Sequence, residues 1–172
     1  NALWWTGVGI TPTDNFYAAP DGTTTAVKLE ATVVTDALIG NTLKKATISN
    51  NTDYTVTWAA KVVTAGKWGL VGFTDGLGNY IGNWFNLTTG AVGSSGVSAS
   101  ETLVKTQAVQ LANGWWAFSV TGKSNAWAGQ VYEYFYLCDA DASTAVTSGS
   151  LAAVWKPNFV QASQATSLIS TT

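Results

Sequence analysis

The side chains in this sequence best equipped to act on another molecule are flat rings. Nine Trp, six Tyr and six Phe occur in 172 residues. Such rings fill cores, seal interfaces or stack against the apolar faces of sugars. Alternation along extended chain divides them. In Trp115-Trp116-Ala117-Phe118, neighbours point to opposite sides, so Trp115 and Trp116 cannot enter the same core layer. In Tyr132-Glu133-Tyr134-Phe135-Tyr136 the face of Glu133 also carries Val131 and Phe135, and the other face carries three Tyr. Tyr80 and Trp84 share one face of their segment, with Ile81, Asn83 and Phe85 on the other. These patterns nominate a contact surface of Tyr80, Trp84, Trp116 and Glu133, with Trp68 and Trp127 as further members. For each ring the competing assignment is the core, because buried aromatics outnumber functional ones.

Reactive groups are scarce. There is no His, which removes Ser-His-Asp and Cys-His catalysis and the commonest zinc ligand. No Gly-rich loop carries the Lys-Ser or Lys-Thr pair that cradles phosphate. Ten acidic residues leave two-carboxylate glycoside hydrolysis chemically open, but most sit in turns where solvent keeps their pKa ordinary. The chain is therefore expected not to be an enzyme and to need no cofactor. Asp139 and Asp141, beside Ser143 and Thr144, are the candidate calcium ligands. They lack the following Gly or bidentate Glu of a dedicated loop, which favours a solvated turn. The single Cys138 lies in an apolar run and reads as a small buried thiol.

Composition narrows the partners. Apolar residues make up 47% and charged residues 10%, against roughly 25% charge in ordinary soluble domains. The surface must be built from Thr, Ser, Asn, Gln and Gly. A net charge of −2 gives little self-repulsion, which suits a chain held against a partner or in a homo-oligomer. Eight Lys with no Arg supply no basic stripe, so nucleic acid is not an expected partner. No 18-residue apolar run and no charged leader followed by an apolar stretch occurs, so neither a membrane span nor a signal peptide is expected.

The elements that must position the rings are strands. β-branched and aromatic residues alternate with polar ones, and turn residues recur every 8 to 12 positions. The expected strands are Trp5 to Ile10, Ala26 to Val34, Leu43 to Ile48, Tyr54 to Val63, Gly66 to Thr74, Asn79 to Leu87, Ala91 to Val97, Thr102 to Leu111, Trp115 to Thr121, Gln130 to Cys138 and Leu151 to Ala162. A loop is expected through Asp14-Asn15-Phe16 and a turn at Pro20-Asp21-Gly22. Asp75-Gly76-Leu77-Gly78 and Asn113-Gly114 each close a hairpin, the latter by a type I′ turn. About ten strands without a helix imply an antiparallel two-sheet β-sandwich. One domain spans 1–172, with 163–172 a tail or last strand.

Six segments in fixed order carry a resemblance. They are Ala19-Pro20-Asp21-Gly22-Thr23-Thr24-Thr25-Ala26-Val27-Lys28-Leu29, Tyr54-Thr55-Val56-Thr57-Trp58-Ala59-Ala60-Lys61, Gly72-Phe73-Thr74-Asp75-Gly76-Leu77-Gly78-Asn79-Tyr80, Trp84-Phe85-Asn86-Leu87-Thr88-Thr89-Gly90-Ala91-Val92-Gly93, Asn113-Gly114-Trp115-Trp116 and Tyr136-Leu137-Cys138-Asp139-Ala140-Asp141. Together they resemble the carbohydrate-binding-module-like jelly rolls of phage virion and prophage proteins. The resemblance implies a jelly roll and a non-catalytic structural role as a capsid decoration or tail-fibre module. It implies capsid or tail proteins as partners and the virion as location. The alternative is a glycan-binding adhesion module that meets cell-surface sugars. The end departs from the family, which closes with a Trp-Gly-containing strand and a Tyr-Ile-Pro-Thr-like tail. Here Val154-Trp155-Lys156-Pro157-Asn158 and Thr166-Ser167-Leu168-Ile169-Ser170-Thr171 stand instead.

Overall fold

The long run Thr52–Thr64 shows most directly how the sequence becomes a sandwich. Its odd and even positions have different duties: Tyr54, Val56, Trp58 and Ala60 enter the main core, while Ala59 belongs to a separate cluster on the opposite face. A computed structural model describes residues 6–43, 45–64, 67–125, 127 and 129–162. The expected tail or last strand at 163–172 lies outside the described residues.

The strands are β1 (Thr6–Val8), β2 (Ile10–Tyr17), β3 (Ala26–Ala31), β4 (Leu38–Gly40), β5 (Ala46–Ile48), β6 (Thr52–Thr64), β7 (Trp68–Thr74), β8 (Tyr80–Asn86), β9 (Val92–Val97), β10 (Thr102–Gln110), β11 (Trp116–Ser124), β12 (Gly129–Cys138) and β13 (Leu151–Val160). A seven-stranded sheet runs β1-β4-β12-β7-β8-β9, with β5 also paired to β12, and a six-stranded sheet runs β10-β11-β6-β13-β3-β2. Every ladder among the described residues is antiparallel. This is the two-sheet sandwich that the alternation implies. Among the described residues no helix is long and apolar enough to cross a membrane.

Rings bridge the two sheets. Phe85 of β8 meets Phe118 of β11 at 4.9 Å, and Trp58 of β6 meets Phe135 of β12 at 5.6 Å between centroids. These side chains are fully buried, with Ile39, Ile81, Leu87 and Leu137 packed among them. Close-packed apolar contact of this kind is the main force holding sheets together.

The outer face of the six-stranded sheet has a small core of its own. Trp115 and Trp155 lie among Ala19, Ala26, Ala59 and Ala153, whose short side chains leave room for two indoles. The segment before β3 closes over them: the Trp115 indole N–H donates to the Ala18 carbonyl at 3.2 Å and the Trp155 indole N–H to the Thr25 hydroxyl at 3.1 Å.

Several boundaries differ from expectation for identifiable reasons. The residues read as a loop at Asp14-Asn15-Phe16 form a bulge inside β2, where the register shifts between Thr13 and Tyr17 and Asn15 takes a left-handed φ of 52°. A strand with Pro12 and a bulge is tolerated because β2 is an edge. β4 was not anticipated, since three residues are too few to show a period. The strand expected from Leu43 starts only at Ala46. At Asn113-Gly114 both φ values are positive, 59° and 75°, as a type I′ turn requires.

Truncating the inter-sheet contact should be costly. Phe118→Ala is expected to lower the unfolding free energy by about 3–5 kcal/mol in urea titrations, whereas Leu77→Ala, at a loop tip where the side chain is 89% exposed, should change it by less than about 0.5 kcal/mol.

Candidate functional site

The outer face of the seven-stranded sheet is where the rings gather in the open. In β7, β8 and β12 the inward positions are Val71, Phe73, Ile81, Phe85, Val131, Phe135 and Leu137, all in the main core. Alternation therefore sends Trp68, Leu70, Tyr80, Trp84, Tyr132, Tyr134, Tyr136 and Cys138 outward. Leu70, Tyr134 and Cys138 form a buried patch there, with Trp68, Trp84 and Tyr136 packed against it.

Register explains the shape of this face. Tyr134 is paired with Gly40 on one side and Gly72 on the other, Gly72 with Gly82, and Gly82 with Gly96. From β4 to β9 a transverse row of the sheet is thus glycine at every position but that of Tyr134. A Cβ at Gly72 or Gly82 would collide with the Tyr134 phenol, and one at Gly96 would stand 3.1 Å from the Trp84 ring. At Gly40 it would meet the Tyr132 ring at 3.2 Å. Glycine in a strand interior marks close approach of another group, and here the approaching groups are rings lying down across neighbouring strands. Tyr134 and Tyr136 meet edge to face at 5.5 Å, a favourable aromatic geometry.

Leu70, Tyr80, Trp84, Tyr132, Tyr134 and Tyr136 bound a groove of about 300 Å³, whose lining also includes Leu38, Thr74 and Thr144 and, among the described residues, contains no Lys, Asp or Glu. Burial, reinforced by Tyr136, Tyr80 and Tyr132, holds the Tyr134 hydroxyl far above the ordinary phenol range. Burial does the same in lesser degree for Tyr136, with Asp36 adding to it. Both phenols are neutral at physiological pH and can donate and accept hydrogen bonds. Burial also pushes the Cys138 thiol up to about 12, which leaves it protonated and unreactive.

One wall comes from the loop after β12. The Trp84 indole N–H donates to the Ser143 carbonyl at 2.9 Å. Asp141 accepts from the Ser94 N–H at 2.8 Å and the Ser94 hydroxyl at 3.0 Å, tying the loop to β9. Asp139 accepts from the Thr147 hydroxyl at 2.7 Å. The two calcium candidates thus hold this loop, Asp139 to Thr147 and Asp141 to β9. Among the described residues no group of three or more His, Cys, Asp or Glu is placed to hold a metal ion.

The nominated residues separate into two sets. Tyr80, which is 41% exposed, Trp84 and Trp68 stand on this face. Trp116 does not: it alternates with Phe118 and Val120 toward the interior and packs on Gly90, where a Cβ would collide with its ring. The adjacent Trp115 is the one directed to the far side of its sheet. Trp127 stacks on Phe73 at 5.8 Å in the core. Glu133 is 8% exposed on the opposite side of β12 from the tyrosines, where it accepts a hydrogen bond from the Asn41 amide at 3.2 Å. It faces a polar cavity with Lys45 and Asn158, not the groove. Tyr132, Tyr134 and Tyr136 were recognisable as one face of a strand, but the glycine row beneath them exists only once strand register is known.

No protein-family model matches the chain, and no curated protein matches it in sequence. Among solved structures, the chain is similar to the N-terminal CBM22-1–GH10 modules of Clostridium thermocellum endo-1,4-β-D-xylanase 10B, a structure determined in complex with xylohexaose. The TM-score is 0.51 at 10% identity, over 92% of this chain and 26% of that one. At this identity the likeness is one of fold. The present chain spans about a quarter of the length of the chain it matches.

The elevated tyrosine has a measurable consequence. Tyr134 keeps its proton in the folded state at a pH where the unfolded chain, with an ordinary value near 10.0, has lost it. Its contribution to stability is complete below pH 10 and declines above it. The urea midpoint should fall more steeply from pH 9.5 to 11 in the parent than in Tyr134→Phe, and equal slopes would show that the phenol is not desolvated. Gly82→Ala should lift the ring, costing about 1–3 kcal/mol and altering the near-UV circular dichroism.

Proposed function

We propose that this chain is a non-catalytic glycan-binding module that holds a length of neutral polysaccharide in the groove on the outer face of its seven-stranded sheet. The observation that carries the reading is the groove itself: Tyr134 laid flat over a glycine row, Tyr80, Trp84, Tyr132 and Tyr136 around it, and no charged side chain in the lining among the described residues. A sugar ring offers an apolar C–H face and a rim of hydroxyls. Trp84 and Tyr80 supply surfaces for the first, and the Tyr136 hydroxyl with Thr74 and Thr144 supplies partners for the second.

A pre-formed concave site with a few polar groups among apolar ones is the usual form of a ligand site. Hydrolysis would require two carboxylates flanking the bound sugar, and the groove lining has none. The fold likeness adds support, and because the matched structure was determined with xylohexaose, xylo-oligosaccharides are the first ligands to try. The reading as a capsid or tail-fibre component, with self-association on a virion, rests on the motif resemblance alone. Neither the fold nor the groove favours it over a free-standing binding module.

Affinity electrophoresis through gels containing neutral polysaccharides, followed by titration calorimetry with the best oligosaccharide, tests the proposal. Trp84→Ala should weaken binding by about tenfold or more, and Trp127→Phe, in the core, should leave it unchanged. Incubation with the same polysaccharides should release no reducing ends. The proposal fails if no neutral polysaccharide retards the parent protein, or if Trp84→Ala binds as the parent does.

A further inference from the structure

A second cavity, of about 470 Å³, shares no lining residue with the groove. It exists because a ladder stops short. β13 pairs with β3 only as far as Val154 and Val27, and its register against β6 then shifts between Trp155 and Asn158. In the gap, Lys156 has a φ of 40°, a left-handed conformation that is costly for a non-glycine residue and that concentrates at functional sites.

What this bulge positions is specific. The Lys156 ammonium lies 4.1 Å from the centre of the Trp155 ring and 3.7 Å from an Asp21 carboxylate oxygen. The Trp155 ring is itself anchored by Thr25. Hydrogen bonds from Thr23 hold the Asp21 carboxyl below its ordinary value, so the acid is ionised. At 3.7 Å the two charges attract but make no hydrogen bond, and a hydroxyl between them could bond to both. Below this rim Val27, Ile39, Trp58 and Val154 close the cavity, with Thr23 and Thr25 also in its lining.

We infer that this cavity is a second sugar site, distinct from the groove, that takes one neutral ring at a chain end and reads two adjacent hydroxyls between Asp21 and Lys156. One hydroxyl donates to the carboxylate and its neighbour accepts from the ammonium. The opposed charges cancel, which favours a neutral ligand over a uronic or sulfated one. Val27, the half-buried member of the floor, meets the C–H face. The cavity of about 470 Å³ is closed below by buried core side chains, which limits the site to a single ring. This inference rests on the glycan-binding reading, but it concerns different residues and a different ligand length.

Indole N–H resonances of isotope-labelled protein separate the two sites. A panel of methyl glycosides of xylose, glucose, galactose and mannose is titrated in parallel with xylohexaose. At least one methyl glycoside should shift the Trp155 resonance saturably in the parent and equally in Trp84→Ala. Lys156→Met and Asp21→Asn should each weaken that response by about tenfold or more, while Lys156→Arg retains it. If no methyl glycoside moves Trp155 up to its solubility, or if both charge-removing variants respond like the parent, the pocket is not a sugar site. A shift at Trp84 with xylohexaose and silence at Trp155 overturns this inference alone. The converse overturns the groove and spares the pocket.

Discussion

Much of this molecule follows from one phenol lying across two glycines. Tyr134 is central on its sheet and faces outward, where an upright ring would protrude into solvent. Because Gly72 and Gly82 present no side chains in the same transverse row, the ring lies down and its hydroxyl is desolvated. That placement removes a ridge from the middle of the sheet. Trp84 and Tyr80 beside Gly96, and Tyr132 beside Gly40, then become the sides of a depression instead of isolated projections.

The two sheets handle their outer faces in opposite ways. On the six-stranded sheet, indoles are sunk among alanines and roofed by the chain between β2 and β3, with both indole N–H groups bonded to the roof. On the seven-stranded sheet, rings are laid among glycines and left without a roof. Small residues are therefore used twice, once to seat a ring beneath cover and once to flatten a ring in the open. Contiguous apolar surface generally has a partner, and the second arrangement offers one.

The alternation of residue types made the sandwich legible, because strands with apolar groups on both faces still separate their rings by the period of two. The tyrosine face of β12 and the Tyr80–Trp84 face of β8 were readable for the same reason. Which face points outward was not readable at the Trp115–Trp116 pair, since alternation says that the two differ without saying which one is inside. Glu133 was misleading because a charged residue is expected to mark the wet side, yet it is buried with the core positions of its strand and held by Asn41. The glycine row was invisible for a deeper reason. Its members lie far apart in the chain and become neighbours only through strand register, which no single segment encodes. The short β4, which contributes Gly40, escaped notice because three residues carry no period.

The partner of the Trp84 indole is a main-chain carbonyl at Ser143. The ring is thus oriented before any ligand arrives, and little rotational freedom is lost when one does. The acceptor belongs to the backbone, so the identities of residues 142–145 can drift without releasing the ring. Evolution could retune the rim of this surface while its platform stays still.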